Sequence, residues 1–345
     1  MEINKLIRKN IAKMKPYSSA RDEFKANGKT MLFLDANESP FENGVNRYPD
    51  PQQKAVKRVV SQLKNISENQ ILLGNGSDEV LDLLFRAFCE PNQDNIITLP
   101  PTYGMYSVLA NLNAVDNREV FLSEEFTPIT DSILEAIDNK TKIIFLCSPN
   151  NPTGNSFPEE SVVKILENFK GIVVLDEAYI DFSDKESWLN KINDYPNLVI
   201  VQTFSKAYGM AGIRMGILYA SKMIIAILNK IKPPYNLNIL SQEKVLSILS
   251  LSESIKSKTG CLISEKDMLF KQLLQIKFVQ KTYPSDANFI LVKVDNANLR
   301  YQQLLEKGVV IRNRTNEPLC ENCLRITIGT SQENIKLIDA LKSLQ

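Results

Sequence analysis

Between residues 71 and 221 the chain alternates two patterns. Short, continuous apolar runs rich in β-branched residues begin at Ile71 (ILLGNG), Asn95 (NIITLP), Lys142 (KIIFLCSP), Gly171 (GIVVLDEAY), Leu198 (LVIVQTFSK) and Arg214 (RMGILYAS). Between them lie stretches with apolar residues at helical spacing, starting at Asp78, Thr102, Asp131 and Glu159. Apolar runs of this length, bounded by turn residues, predict strands buried on both faces, and the intervening stretches predict crossover helices. The expected fold class is α/β, with a mostly parallel central sheet flanked by helices.

After Lys222 the pattern changes. A helical stretch meets the breaker KPPYN at 232–236 and a second long helical stretch follows through Ser250. Strand patterns then begin at Ala287 (ANFILVKV), Val309 (VVIRN) and Leu324 (LRITIG), with helical patterns at Asn298 and at the end of the chain. This tail reads as a smaller α+β domain. We divide the chain into an N-terminal segment, 1–30, packing on the small domain or on a dimer partner; a large domain, 31–240; and a small C-terminal domain, 241–345.

Composition narrows the chemistry. In 345 residues, 41 Lys and Arg nearly cancel 40 Asp and Glu, so no nucleic-acid partner is indicated. The first residues interrupt their apolar positions with Lys and Arg, unlike a signal peptide, and no stretch approaches the roughly 18 apolar residues of a membrane span. A cytoplasmic location is expected, and five cysteines without an export signal fit reduced thiols. There is no histidine, which removes Ser-His-Asp and Cys-His nucleophile systems and the commonest transition-metal ligand. Proton transfer must then run through Lys, Tyr, Asp, Glu or Cys, which points toward an organic cofactor.

In an open parallel sheet, ligands collect beyond the carboxyl ends of the strands, where polar clusters stand at 75–78, 150–154, 176–179 and 203–206. A Schiff-base lysine needs a lowered pKa and an aldehyde within reach; Lys206 is the candidate, with Ser205 and Arg214 available to a phosphate. Asp176 ends an apolar run, where an ionised carboxylate needs a partner such as a protonated pyridine nitrogen, and Tyr179 is placed to bond the ring's phenolic oxygen. Gly76, Ser77 and Asp78 precede a helical pattern whose N-terminus suits phosphate, although the same residues serve as ordinary helix caps. Tyr103 can stack on a flat ring, and Asn151, in a turn stiffened by prolines, is assigned to the ring oxygen.

The ordered set GNGSDE, PTYGMY, SPNNPTG, DEAY, TFSKAYGMAGIR and LRITIG resembles the fold-type I pyridoxal-phosphate aminotransferases, and specifically the histidinol-phosphate aminotransferase family. LDANESP, NRYPDP, KPPYN and PSDANFILV add to the likeness, which spans from about Tyr17 to the C-terminus. The resemblance implies pyridoxal 5'-phosphate as cofactor, carried by Lys206 as a Schiff base, with Lys206 also shuttling the proton. It implies that Asp176 pairs with the pyridine nitrogen, that Asn151 and Tyr179 hold the ring oxygen, and that Gly76, Ser77, Ser205 and Arg214 cradle the phosphate. It further implies that Tyr48 reaches the cofactor of a neighbouring subunit in a homodimer with shared active sites. Arg325 resembles the arginine that receives the substrate's acidic end and Arg312 a second phosphate-facing arginine, with Tyr17 and Asn37 as further substrate contacts.

The implied reaction is ping-pong exchange between L-histidinol phosphate and 2-oxoglutarate in histidine biosynthesis. Two relatives of the same fold are the alternatives: an aromatic amino-acid aminotransferase and a threonine-phosphate decarboxylase. A binding protein that retains the fold without turnover is the reading from another class, and intact Lys206 and Asp176 speak against it. Cys320 and Cys323 form a lone CxxC without a second ligand pair, so no metal is expected. The basic N-terminal stretch is read as a packing segment rather than a membrane anchor.

Overall fold

The apolar runs become the interior of a sheet in the computed structural model, which describes residues 3–17 and 32–344. Seven strands form it: β1 (Ile71–Asn75), β2 (Asn95–Thr98), β3 (Asp116–Glu119), β4 (Thr141–Cys147), β5 (Ile172–Asp176), β6 (Leu198–Thr203) and β7 (Met215–Ala220). Their order is β1-β7-β6-β5-β4-β2-β3. The ladders from β3 to β6 are parallel; β7 alone runs antiparallel to both its neighbours. Strand β3, with the sequence DNRE, was not expected. It is a polar edge strand, with no apolar alternation to announce it, and it is held by backbone pairing to β2.

Helices cover both faces. On one side, α3 (Ser77–Phe88), α4 (Met105–Leu112) and α7 (Lys222–Ile231) bury Phe85, Tyr106 and Ile224 against Leu72, Phe145 and Val174. On the other, α2 (Lys54–Lys64), α5 (Thr130–Glu135), α6 (Glu159–Asn168) and α8 (Ile239–Leu249) bury Val60, Ile133, Ile165 and Val245 against Leu73, Ile144 and Leu175. The aromatic rings of Phe85, Phe145 and Tyr106 form a continuous stack, with centroid separations of 5.5 and 4.7 Å.

The second sheet has the order β10-β11-β9-β8 and is wholly antiparallel. Its strands are β8 (Val279–Thr282), β9 (Phe289–Val294), β10 (Arg312–Asn313) and β11 (Cys323–Thr327). One face packs on α9 (Ser252–Leu273), α10 (Ala297–Glu306) and α11 (Ser331–Lys342), burying Leu269, Leu304 and Leu337 against Ile290, Val292, Leu324 and Ile326. The other face turns toward the large sheet. Leu291, Cys320 and Cys323 belong to the large sheet's hydrophobic cluster.

Two expected boundaries differ from this packing. Helix α8 straddles residue 240 and packs on α2, while the C-terminal Leu269 and Leu273 of α9 enter the small core. The described part of the N-terminal segment packs on the large domain rather than the small one. Ile3 and Ile11, the latter in α1 (Lys9–Lys13), join the cluster around α3 and α7, and the Arg8 amide donates to the Ala87 carbonyl at 3.0 Å. These few apolar residues complete a groove that the α3 and α7 helices leave open.

The start of α3 crosses directly over β7. Gly74 of β1 pairs with Gly216 of β7, and a Cβ on Gly216 would collide with the backbone of Gly76 and Ser77. Substituting Gly216→Ala is expected to destabilise the protein by about 1–3 kcal/mol, seen as a lower urea midpoint with an unchanged denaturant slope. A variant as stable as the parent would show that the helix start yields without cost.

Candidate active site

The carboxyl ends of β1, β4, β5 and β6 open onto one edge of the large sheet, and the antiparallel β7 begins there. Ser77, Asp78, Tyr103, Asn151, Asp176, Tyr179, Ser205, Lys206 and Arg214 line a single cavity of about 140 Å³ at that edge. Nine residues expected from sequence thus meet at one place. Thr203, Cys147, Ala178 and Ala211 complete the lining.

Asp176 forms the floor and is fully buried at the end of β5. Burial pushes its carboxyl up to about 6, against the Tyr106 hydroxyl and the Ala178 amide, which favour the ionised form. Tyr106 donates to one carboxylate oxygen at 2.7 Å, and the Ala178 N–H donates to the other at 3.1 Å. Sequence reasoning missed Tyr106. Its only signal was its place three residues after Tyr103, on the helix face turned to the sheet. Tyr103 itself lies edge-on to Tyr106, at 5.5 Å and 87°, and donates to Asp78 at 3.1 Å.

At one end of the cavity stands an anion cradle. Gly76, with a φ of 79°, leads into the N-terminus of α3, and the guanidinium of Arg214 lies so close that a Cβ on Gly76 would come within 2.6 Å of its Nη2. Arg214 is itself left-handed, with a φ of 56°, a strained choice for a side chain with a Cβ. Its Nη2 is 3.9 Å from Asp78. The Thr203 hydroxyl donates to Ser205 Oγ at 3.0 Å and receives the Ser205 N–H at 3.1 Å. Helix-end amides, two hydroxyls and a guanidinium are the donors a phosphate monoester requires. A buried carboxylate at the floor fits a protonated ring nitrogen, so the residues present fit pyridoxal phosphate at both ends.

Lys206 Nζ sits 5.6 Å from the Tyr179 ring centroid. Although the side chain reaches solvent through the mouth of the cavity, its surroundings lower the pKa of the amine. Desolvation contributes most, then the charge of Arg325, while Asp176 opposes them. Burial raises the Tyr179 phenol.

Arg325 enters from the small sheet. Its Nη1 donates to Asn151 Oδ1, and its Cζ lies 5.1 Å from the Phe289 ring. The Asn151 carbonyl is thereby engaged, which leaves its amide nitrogen for the cavity. Arg312 is exposed but pairs with Arg325 across the β10–β11 ladder. Tyr17 is exposed, and Asn37 and Tyr48 line a separate groove in which the rings of Tyr48 and Tyr235 stack at 4.4 Å. One chain therefore does not bring Tyr17, Asn37 or Tyr48 to the cavity. They belong to stretches without helix or strand, outside the packed core.

The remaining motifs are internal ties. Lys232 of KPPYN donates to the Pro51 carbonyl at 3.0 Å, and Asn236 donates to the Leu73 carbonyl and to Glu79, which fastens the RYPDP turn to β1 and α3. Cys320 and Cys323 are buried in the seam between the sheets. Among the described residues no group of His, Cys, Asp and Glu side chains has the makings of a metal site.

The chain is similar to known proteins over nearly its whole length. The family described as aminotransferase class I and II matches residues 34–341. A histidinol-phosphate aminotransferase of Flavobacterium johnsoniae is 64% identical over 344 residues, covering 99% of each chain. Among solved structures, the histidinol-phosphate aminotransferase of Clostridium acetobutylicum superposes with a TM-score of 0.80 at 25% identity, over 87% of this chain and 91% of that one. That of Sinorhizobium meliloti, solved with pyridoxal 5'-phosphate, gives 0.79 at 23% identity, over 87% of this chain and 84% of that one, a likeness of fold.

The buried carboxylate carries a stability signature. Its folded pKa of about 6 lies above the ordinary 3.8, so between pH 4 and 6 the folded state binds more protons than the unfolded one. The group's contribution therefore declines as pH rises through that window and stays low above it. In cofactor-free protein, Asp176→Asn should gain on the parent as pH rises from 4 to 7, by on the order of 3 kcal/mol, measured by urea unfolding at each pH. A difference that stays flat across this range would mean that Asp176 is not perturbed.

Proposed function

This chain belongs to the class I and II aminotransferases and, within them, to the histidinol-phosphate aminotransferase family, and from that membership we infer how its own residues act. It is a pyridoxal-phosphate enzyme that exchanges an amino group between L-histidinol phosphate and 2-oxoglutarate in histidine biosynthesis. The observation that carries the reading is a single cavity lined by the buried Asp176, Lys206 and an anion cradle, with the guanidinium of Arg325 bonded to Asn151 on its wall.

When bound, pyridoxal phosphate supplies an electron sink for the carbon that bears the amino group. Asp176 holds the proton on the ring nitrogen, and Tyr106 keeps that carboxylate oriented. Asn151 and Tyr179 would hold the ring oxygen, while Gly76, Ser77, Ser205 and Arg214 would hold the phosphate. Lys206 would anchor the cofactor and would then move the proton of the substrate carbon through its Nζ; a lowered pKa keeps more of the amine neutral and able to accept that proton. Arg325 receives the acidic end of each substrate, and Arg312 adds a second fork beside it.

The active unit is a homodimer in the cytoplasm. Support for the dimer comes from exposed apolar side chains: Val45, Tyr48 and Leu240, each with half or more of its surface open, line one groove, and Leu34 and Phe41 are more exposed still. Apolar surface of this kind marks an interaction site. In the dimer Tyr48 extends to the partner's cofactor phosphate, and Tyr17 and Asn37 meet substrate. Among the described residues no helix is long and apolar enough to cross a membrane.

A half-reaction tests the substrate. The pyridoxal-phosphate form, mixed separately with histidinol phosphate, phenylalanine and threonine phosphate, should lose its visible absorbance far faster with the first. Equal reaction with phenylalanine, or carbon dioxide release from threonine phosphate, would overturn the substrate and leave the fold standing. Lys206→Ala should slow the histidinol-phosphate half-reaction by roughly 10²–10⁴-fold. For the assembly, sedimentation equilibrium should give twice the chain mass at micromolar concentration, and a monomer of full activity would refute the shared site.

A further inference from the structure

Arginines gather on one face of the β10–β11 ladder beyond the two already given a task. Arg312 lies opposite Arg325, and the backbone N–H of Arg314 donates to the Cys323 carbonyl at 2.8 Å, which carries the same register two residues further. Arg314 follows β10 by one residue and keeps its register by that bond, which sets Arg312, Arg314 and Arg325 on the same side of the ladder. Like charges set opposite one another weaken a ladder. Arg314 has Glu317 as its counter-ion, whereas Arg312 and Arg325 have no carboxylate within ion-pair distance among the described residues, which leaves this face suited to a further anion.

The local chemistry singles out Arg314. Its Nη1 donates to Glu317 at 3.2 Å, yet its Nε–H is buried without an acceptor among the described residues, as is the Nε–H of Arg325. A buried donor left without an acceptor is costly unless a ligand atom completes it. Arg314 is also within electrostatic reach of Arg325 and Tyr179. Burial lowers Arg325 to about 10, and the next contribution is the charge of Arg314, ahead of Arg312. Burial raises the Tyr179 phenol, and the charges of Arg325 and Arg314 oppose that rise.

The two substrates differ in what Arg325 must receive. A carboxylate brings one charge and two coplanar oxygens, which one guanidinium fork satisfies. A phosphate ester brings a charge of about −1.5 to −2 and three acceptor oxygens, so one fork leaves an oxygen and much of the charge unmatched. We propose that Arg314 sets this site's preference for a phosphate ester over a carboxylate: Glu317 steadies one side of its guanidinium, and its Nε–H serves the substrate phosphate beside Arg325. The proposal rests on the reading that Arg325 receives the acidic end of the substrate.

The test uses holoenzyme and the ratio of kcat/KM for the histidinol-phosphate half-reaction to that for the glutamate half-reaction. Arg314→Gln should lower this ratio at least tenfold. Arg314→Lys, which keeps the charge but not the second donor, should lower it about threefold or more and decides the question if the glutamine variant does not fold. Rates that fall in equal proportion for both substrates, or a ratio that does not move, would overturn the proposal. In parallel, inorganic phosphate is used as an inhibitor of the glutamate half-reaction. Its inhibition constant should rise at least tenfold in Arg314→Gln, and an unchanged constant would refute the assignment. Should the parent enzyme not react with histidinol phosphate at all, the substrate reading falls, whereas the phosphate inhibition still decides the role of Arg314.

Discussion

A carboxylate buried at the end of a central strand is costly, because the protein interior solvates charge poorly. Asp176 is in that position, and much of the large domain is arranged around the consequence. The Tyr106 hydroxyl can reach it only because α4 lies against the sheet with its ring stacked on Phe145, itself stacked on Phe85. Tyr103, one turn earlier, is tied to Asp78, and Asp78 in turn faces Arg214. The packing of three aromatic rings thus fixes the orientation of the floor of the site and, through two short links, approaches Arg214 and the anion cradle. Without a cationic partner the carboxyl is drawn toward protonation. With one, the same burial strengthens the pair, since fewer water dipoles compete.

The second constraint is the seam between the two sheets. The face of the small sheet that carries Arg325 is not open surface: Leu291, Cys320 and Cys323 are part of the large sheet's core, and Phe289 meets Tyr179 edge-on at 5.2 Å. The loops also interlock. The Asp286 amide donates to the Gly154 carbonyl at 2.7 Å, and the Ser156 amide donates to the Asp286 carboxylate at 3.0 Å. These bonds join the SPNNPTG and PSDANFILV segments, which places Asn151 and Arg325 in register with each other. Small errors of position at a reacting centre cost large factors in rate. A rigid seam is therefore a functional feature of this enzyme as well as a structural one.

The sequence by itself determined the order of six of the seven strands of the large sheet and of the helices that alternate with them, because continuous apolar runs and helical spacing record which side chains must leave water. It also determined which residues stand at the strand ends, since polar residues following a buried strand emerge at the same edge in a parallel sheet; Asp176, Asn151, Ser205 and Lys206 were legible for that reason. The absence of histidine pointed to cofactor chemistry. Tertiary structure decided the rest. The pairing of the edge strand β3 and the reversed direction of β7 reside in backbone hydrogen bonds, which side-chain patterns do not encode. Tyr106 on Asp176, Asn151 on Arg325 and the grouping of Arg312, Arg314 and Arg325 join residues far apart in the chain or across a ladder whose register is set by its neighbours. The N-terminal segment found its place by the same means, since the groove that receives Ile3 and Ile11 exists only once α3 and α7 have packed.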